Sequence, residues 1–188
     1  MKLYISVIGV AMALTSMINI IFAVESWYYI VIATVWCTVL QLVLDGLVAI
    51  IINKMPDRLF GVENRLFHIH LWERRMYKFL KVRKWADKVL ELGGLGGFSK
   101  KFLADPDNPE YIEKFIIESN KGVLTHRLSY PIGFLAMLTL PSPTNLTIAL
   151  PVATVNLFLN VLPTLVLRHN TPMLKSLLKR LKRNDRKE

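Results

Sequence analysis

Two polar positions stand out in a chain that is otherwise greasy. Glu118 and His126 lie eight residues apart in "IIESNKGVLTH" (116–126). On one helix that spacing is about 80° of rotation and about 12 Å of rise, so both side chains can face one cleft without touching. A carboxylate and an imidazole so placed suit general acid–base work. The plainer reading is a pair of interfacial residues reaching for water. The second position is the polar knot Arg168-His169-Asn170-Thr171-Pro172, which closes an apolar run. Arginine at the end of a membrane span is ordinary. Asn160, about two turns earlier in the same run, is less ordinary, because a buried amide needs partners. Asp45 lies inside another apolar run, where a carboxylate is either functional or ion-paired with a nearby base. His68, His70 and Glu73 have the right chemistry for a metal. Histidines at i and i+2 point to different sides of a helix, however, and no further ligand has clear spacing, so no metal is expected.

The elements that must position these residues are apolar helices. Of the 188 residues, 53% are apolar, and they fall in long runs rather than in scattered core positions. A span needs roughly 20 apolar residues. The runs 3–24, 27–52, 124–140 and 145–167 predict about four transmembrane helices in a single integral membrane domain, an all-α polytopic protein. The first run is long for a signal peptide and no small-x-small cleavage site follows it before Glu25, so it reads as an uncleaved anchor. Pro141-Ser142-Pro143-Thr144 is a tight connection that predicts a hairpin of the last two runs. Cys37 is the single cysteine, which excludes a disulfide framework and a thiolate metal cluster.

The net charge of +10 invites a nucleic-acid reading. The bases flank the apolar runs, where membrane topology explains them. The connections at 25–26 and 141–144 carry no lysine or arginine, whereas the stretch from Lys54 to Arg127 and the stretch from Arg168 onward are rich in both. The positive-inside rule then predicts a multi-pass cell-membrane protein with both termini and the segment 53–123 in the cytoplasm. Within that segment, "RLFHIHLWERRMYKFLKVRKWADKVLEL" predicts an interfacial helix with Trp72, Tyr77, Phe79 and Trp85 at headgroup depth. "GGLGGF" (93–98) predicts a flexible joint, since it lacks the residues of a phosphate-binding loop. Asn108, Pro109 and Glu110 predict the start of a helix that continues toward the third span, with Pro131 as a kink. Thr171 and Pro172 predict a further helix start. The spacing of Leu174, Leu177, Leu178 and Leu181 then predicts an amphipathic tail over 172–188, lying on an anionic leaflet.

Four stretches, in order, carry a resemblance: "MPDRLF" (55–60), "VRKWADKVLE" (82–91), "IIESNKGVLTH" (116–126) and "NVLPTLVLRHNTPMLKSLLKRLKR" (160–183). Together they resemble the glycosyl-4,4'-diaponeurosporenoate acyltransferase family, enzymes that esterify a sugar-bearing carotenoid of the staphyloxanthin type. Trp85, Glu118, His126, Asn160, Arg168 and Asn170 match the family pattern. Its Arg-Ala-Glu is replaced by Lys121-Gly122-Val123, its Gln-Arg-Tyr-Asn-Arg by Leu167-Arg168-His169-Asn170-Thr171, and a further arginine by Met173, so the chain resembles a divergent member.

The resemblance implies O-acyl transfer from a thioester donor such as acyl-CoA to a hydroxyl of a membrane-embedded glycolipid or glycosylated terpenoid, with no further cofactor. It implies His126 as general base, with Glu118 orienting it or holding the imidazolium. Asn160, Asn170 or Arg168 would stabilise the oxyanion, and Arg83, Lys84 and Arg168 would hold donor phosphates. Glu118, His126, Asn160 and Arg168 would then line one cavity, with Trp85 at its rim. Two other classes compete. A non-catalytic membrane module that binds lipid or a partner protein would leave these residues scattered. A lipid-modifying enzyme of other chemistry would need a nucleotide-cofactor pocket, for which the sequence offers no motif.

Overall fold

A computed structural model describes residues 2–22, 24–89 and 103–185. The fold class is the expected one: the described residues are helical and contain no strand. The described residues form five α-helices, α1 (Lys2–Ile21), α2 (Trp27–Lys54), α3 (Leu71–Phe79), α4 (Pro109–Ile132) and α5 (Leu150–Asn184). Three of the described helical stretches are long and apolar enough to cross a membrane: Tyr4–Ile21, Trp27–Lys54 and Asn145–Asn184. The glycine-rich stretch 93–98 lies outside the described residues.

The chain divides into two compact units, and α4 and α5 contribute residues to both. One unit comprises Met1–Ile50 with Thr125–Val161; the other comprises Ile51–Leu124 with Leu162–Glu188.

In the first unit many large apolar side chains face outward while several polar ones are buried beside apolar clusters. Ile5, Val10, Leu14, Ile18, Ile32 and Trp36 are exposed, while Thr15, Asn19, Thr34, Thr38, Gln41 and Asn156 are buried. That inversion suits a hydrocarbon solvent, where packed helices meet through small and polar residues. Ser16 Oγ donates to Thr34 Oγ1 at 3.2 Å, and Asn19 Nδ2 donates to the Thr147 carbonyl at 2.8 Å.

The expected third run, 124–140, is not one α-helix. α4 passes through Pro131 and ends at Ile132, and Gly133–Thr139 continues as a 3-10 helix. The Gly133 carbonyl also accepts from Gln41 Nε2 at 3.1 Å. At Pro141–Thr144 the turn is closed by Thr144 Oγ1 and the Asn145 N–H, both donating to the Pro141 carbonyl. One π turn, Asn145–Ala149, leads into α5.

In the second unit, Asn108 caps α4 as its residue type predicts, Oδ1 accepting from the N–H groups of Glu110 and Tyr111. The interfacial segment is broken rather than continuous: α3 is flanked by short 3-10 turns at Arg65–Phe67, Val82–Lys84 and Ala86–Lys88. Trp72 and Phe79 are exposed, but Tyr77 is buried and Trp85 half-buried, both in a core with Ile69, Val82, Leu165 and Val166.

The tail also differs from expectation. Thr171 and Pro172 open no new helix, because α5 runs through both, and Thr171 Oγ1 bonds the Leu167 carbonyl instead of capping. The stripe Leu174, Leu177, Leu178, Leu181 packs on Ile112, Phe115 and Ile116 of α4. Helical spacing identifies an apolar face but not the surface that covers it. Lys182 Nζ meets Glu113 Oε2 at 2.6 Å beside this seam. Leu178→Ala should therefore cost roughly 2–5 kcal/mol of unfolding free energy, the range for buried leucine truncations. Thermal unfolding in detergent measures it; an unchanged midpoint together with weakened binding to anionic vesicles would return the stripe to the membrane surface.

Candidate active site

Unit one holds a chain of side-chain hydrogen bonds centred on Asn160. Its Oδ1 lies 2.8 Å from His126 Nδ1. Its Nδ2 donates to Asp45 Oδ2 at 3.1 Å, to the Asn156 carbonyl at 3.0 Å and to Asn156 Oδ1 at 3.2 Å. Three elements supply the parts: Asp45 from α2, His126 from α4, and Asn156 with Asn160, one turn apart, from α5. Asn160 and Asn156 are buried, each 5% exposed.

The network fixes the amide and, through it, the imidazole. All three groups facing Asn160 Nδ2 are acceptors, so that end must be the NH2. The other end is then a carbonyl oxygen, and His126 Nδ1 must carry the hydrogen it accepts. In this tautomer of the neutral ring Nδ1 is anchored by the amide and the lone pair therefore lies on Nε2.

Two polar atoms of the cluster are buried with no hydrogen-bond partner: Asp45 Oδ1 and Asn156 Nδ2. The sequence left Asp45 open between a functional role and an ion pair. Its bonded partner is a neutral amide rather than a base. Asn156 was missed. It sits four residues before Asn160 on one face of an apolar helix, and that spacing was the available signal.

The remaining expected site residues lie in unit two. The Arg168 guanidinium forks onto Glu73, Nε donating to Oε2 and Nη2 to Oε1, each at 2.7 Å, and Nη2 also donates to the His68 carbonyl at 2.9 Å. Tyr77 Oη donates to Glu73 Oε2 at 2.8 Å, and the His70 N–H donates to Oε1 at 3.2 Å. Both charged side chains are 5% exposed. Burial pushes the Glu73 carboxyl up, but the hydrogen bonds from Arg168, Tyr77 and the His70 N–H, with the Arg168 charge, outweigh it and hold it below its ordinary value. Burial and the bond to Glu73 push the Tyr77 phenol up to about 12. Glu73, considered above only as a metal ligand, is thus spoken for by an arginine.

Glu118 Oε1 accepts from Lys121 Nζ at 3.2 Å, and Lys121 also meets Asp57 at 2.5 Å and lies 5.9 Å from the Phe60 ring centroid. Burial lowers the Lys121 ammonium, but hydrogen bonds to Asp57 and Glu118 and their charges more than offset this and raise it. Arg83 and Lys84 are exposed on the 3-10 turn Val82–Lys84. Trp85 Nε1 donates to the Leu80 carbonyl at 2.9 Å. Asn170, on α5, is half-buried.

The site is thus a half-buried histidine bonded to an amide, and the amide to a carboxylate, in a helical membrane protein. The sequence comparison supplies the particular family. The chain belongs to the glycosyl-4,4'-diaponeurosporenoate acyltransferase family, whose model matches residues 63–180. The match contains His126, Asn156 and Asn160, and Asp45 lies before it. No curated protein and no solved structure matches the chain.

The Glu73–Arg168 pair makes a prediction of its own. Removing one partner of a buried pair leaves an uncompensated charge, which costs about 3–5 kcal/mol. Glu73→Gln should lower the unfolding free energy by that amount at neutral pH. Because Glu73 is held below its ordinary value of 4.5, its contribution is present above that value and is lost as pH falls through the lower folded value. Wild type and variant should therefore converge in stability below pH 4.5, which a pH series of unfolding midpoints checks.

Proposed function

We propose that the chain is an O-acyltransferase of the cell membrane. It moves a fatty acyl group from a thioester donor, acyl-CoA in the simplest case, to a hydroxyl of a glycosylated terpenoid or glycolipid lying in the bilayer. The observation that carries the reading is the Asp45–Asn160–His126 chain, within a protein of an acyltransferase family.

In this reading His126 Nε2 takes the proton of the acceptor hydroxyl as its oxygen attacks the thioester carbonyl. A C–O bond forms and the carbonyl electrons move onto oxygen. The tetrahedral intermediate collapses, the C–S bond breaks, and the leaving thiolate takes the proton back from the ring. Asn160 keeps the ring in the required tautomer. Asp45 keeps Asn160 oriented and offsets the positive charge that the ring carries during the step. The exposed Arg83 and Lys84 are candidates for the donor's phosphates; Glu118, expected to orient His126, is ion-paired with Lys121, and Asn170 and Trp85 remain candidates for acceptor contact.

His126→Ala should lower kcat by about 10²–10⁴-fold, the scale of a lost general base. Asp45→Asn should lower kcat with KM nearly unchanged, and Asp45→Glu should recover part of the loss. Assays use purified protein in detergent or nanodiscs with acyl-CoA and a glycosylated polyene. Full activity in His126→Ala would remove the base, whereas equal loss in Asp45→Asn and Asp45→Glu would reduce Asp45 to a packing role.

The cytoplasm is where acyl-CoA is found, and the basic segments place the same side of the membrane there. Reporters fused at the N-terminus and after Glu188 should both read cytoplasmic; an external C-terminus would separate the protein from that donor.

A further inference from the structure

In the second unit, α3 carries its side chains the opposite way round from a helix packed in water. Its one acid, Glu73, is buried with Tyr77, while Leu71, Trp72 and Phe79 are 73%, 62% and 84% exposed. Successive helical residues turn by about 100°, so Glu73 and Tyr77 mark one side of the helix. Leu71, Arg75, Phe79 and Trp72 fall within about 100° of one another on the opposite side. The inner side is fastened. The Arg168 fork holds Glu73, and Tyr77 packs with Ile69 and Val82. The outer side therefore cannot roll inward to cover its apolar residues.

Charge is distributed as unevenly. From Leu71 to Lys84 the bases Arg74, Arg75, Lys78, Lys81, Arg83 and Lys84 are all exposed, and Glu73, already taken by Arg168, is the only acid. The outer face is thus apolar and positive at once. Those are the two attractions that seat a helix in the plane of an anionic leaflet, apolar area below the phosphates and bases among them. Trp72 has the amphipathic ring that favours that depth. The sequence pointed to the C-terminal leucine stripe for this duty, but there the structure separates the two attractions. Leu174, Leu177, Leu178 and Leu181 pack against α4. The exposed Lys179, Arg180 and Arg183 are left, among the described residues, with no large exposed apolar side chain after Met173.

We propose that the outer face of α3 is a docking surface for anionic phospholipid headgroups, with Leu71, Trp72 and Phe79 below the phosphates and Arg74, Arg75 and Lys78 among them. A protein partner fits the face less well. Arg75 lies between Leu71 and Phe79 around the helix, and a dry interface would bury it without a counter-charge. At a leaflet its long stem reaches back to the phosphates instead. The membrane is also at hand. The segment follows a helix of membrane-crossing length, α2, and Glu73 ties it to another, α5. The proposal concerns how the protein is seated, so it stands or falls apart from acyl transfer.

The test uses the full chain in nanodiscs, with Cys37→Ala leaving Phe79→Cys as the single site for a nitroxide label. Power saturation reads how often the label meets oxygen, which concentrates in lipid, and how often it meets a water-soluble nickel chelate. In discs containing phosphatidylglycerol the oxygen-to-nickel collision ratio should be roughly threefold or more above that in discs of phosphatidylcholine alone. Arg74→Gln, Arg75→Gln and Lys78→Gln together should remove most of that difference, and Lys179→Gln with Arg180→Gln should leave it. Equal ratios in the two lipids overturn the proposal. So does a difference that survives the α3 variant, or that the α5 variant removes as fully. A label shielded from oxygen and nickel alike overturns it too, because the face is then covered by protein, a second copy of the chain in this preparation. Leu71→Cys repeats the measurement from the other end of the face, so the outcome does not hang on one labelled variant folding.

Discussion

A polar group carried into hydrocarbon must find its partner inside the protein, since the solvent supplies none. The first unit is organised by that constraint. Its helices pack partly through apolar clusters such as Ile30, Ala33 and Ile148. They also meet where Ser16 finds Thr34, where Asn19 finds the Thr147 carbonyl, and where Gln41 donates to the Gly133 carbonyl. The last of these falls where α4 gives way, just after Pro131, to the 3-10 helix Gly133–Thr139.

The second unit meets a similar cost in another way. Glu73 and Arg168 are both buried, and a buried pair is tolerated only when geometry is good and the remaining lone pairs are met. Here the fork is bidentate, and Tyr77, the His70 N–H and the His68 carbonyl complete the set. A lysine would offer the same charge without the planar fork, so residue type and not charge alone is demanded at this place. Arg168 thus has a sufficient structural duty, tying α5 to the start of α3. Phosphate or oxyanion binding by the same guanidinium would have to share the two nitrogens that Glu73 and His68 hold.

What the sequence made legible follows the same division. The apolar runs, the Asn108 cap, the continuation of α4 through Pro131 and the choice of His126 and Asn160 as candidates could be read, because each rests on a local pattern or on the family resemblance; that these two are bonded to one another was not foreseen. The covering of the Leu174–Leu181 stripe could not, because an apolar face fits lipid and a neighbouring helix alike. Nor could the change to 3-10 geometry at Gly133, whose carbonyl meets a side chain 92 positions away in the chain. Thr171-Pro172 has the composition of a helix start, yet a helix already running needs no start, and Thr171 bonds back to Leu167. Glu73 looked like a ligand for want of a visible cation; the cation was Arg168, 95 positions downstream.

The amide between Asp45 and His126 is the most informative departure from the familiar pairing of a carboxylate with an imidazole. A carboxylate bonded directly to the ring favours the imidazolium, the form with no lone pair to act as base. A neutral amide makes no such demand, yet it is directional, having one donor end and one acceptor end. Left alone, Asn160 could turn over and offer NH2 to the ring, and the ring would then have to accept at Nδ1 and carry its hydrogen on Nε2, the wrong tautomer for a base. Asp45 forbids this, because a carboxylate can only accept. So the carboxylate sets the amide, the amide sets the ring, and the charge stays one group removed until a proton arrives. On this reasoning α2, which lies before the stretch that the family model matches, does more than cross the membrane. Through Asn160 it sets which nitrogen of His126 carries the hydrogen.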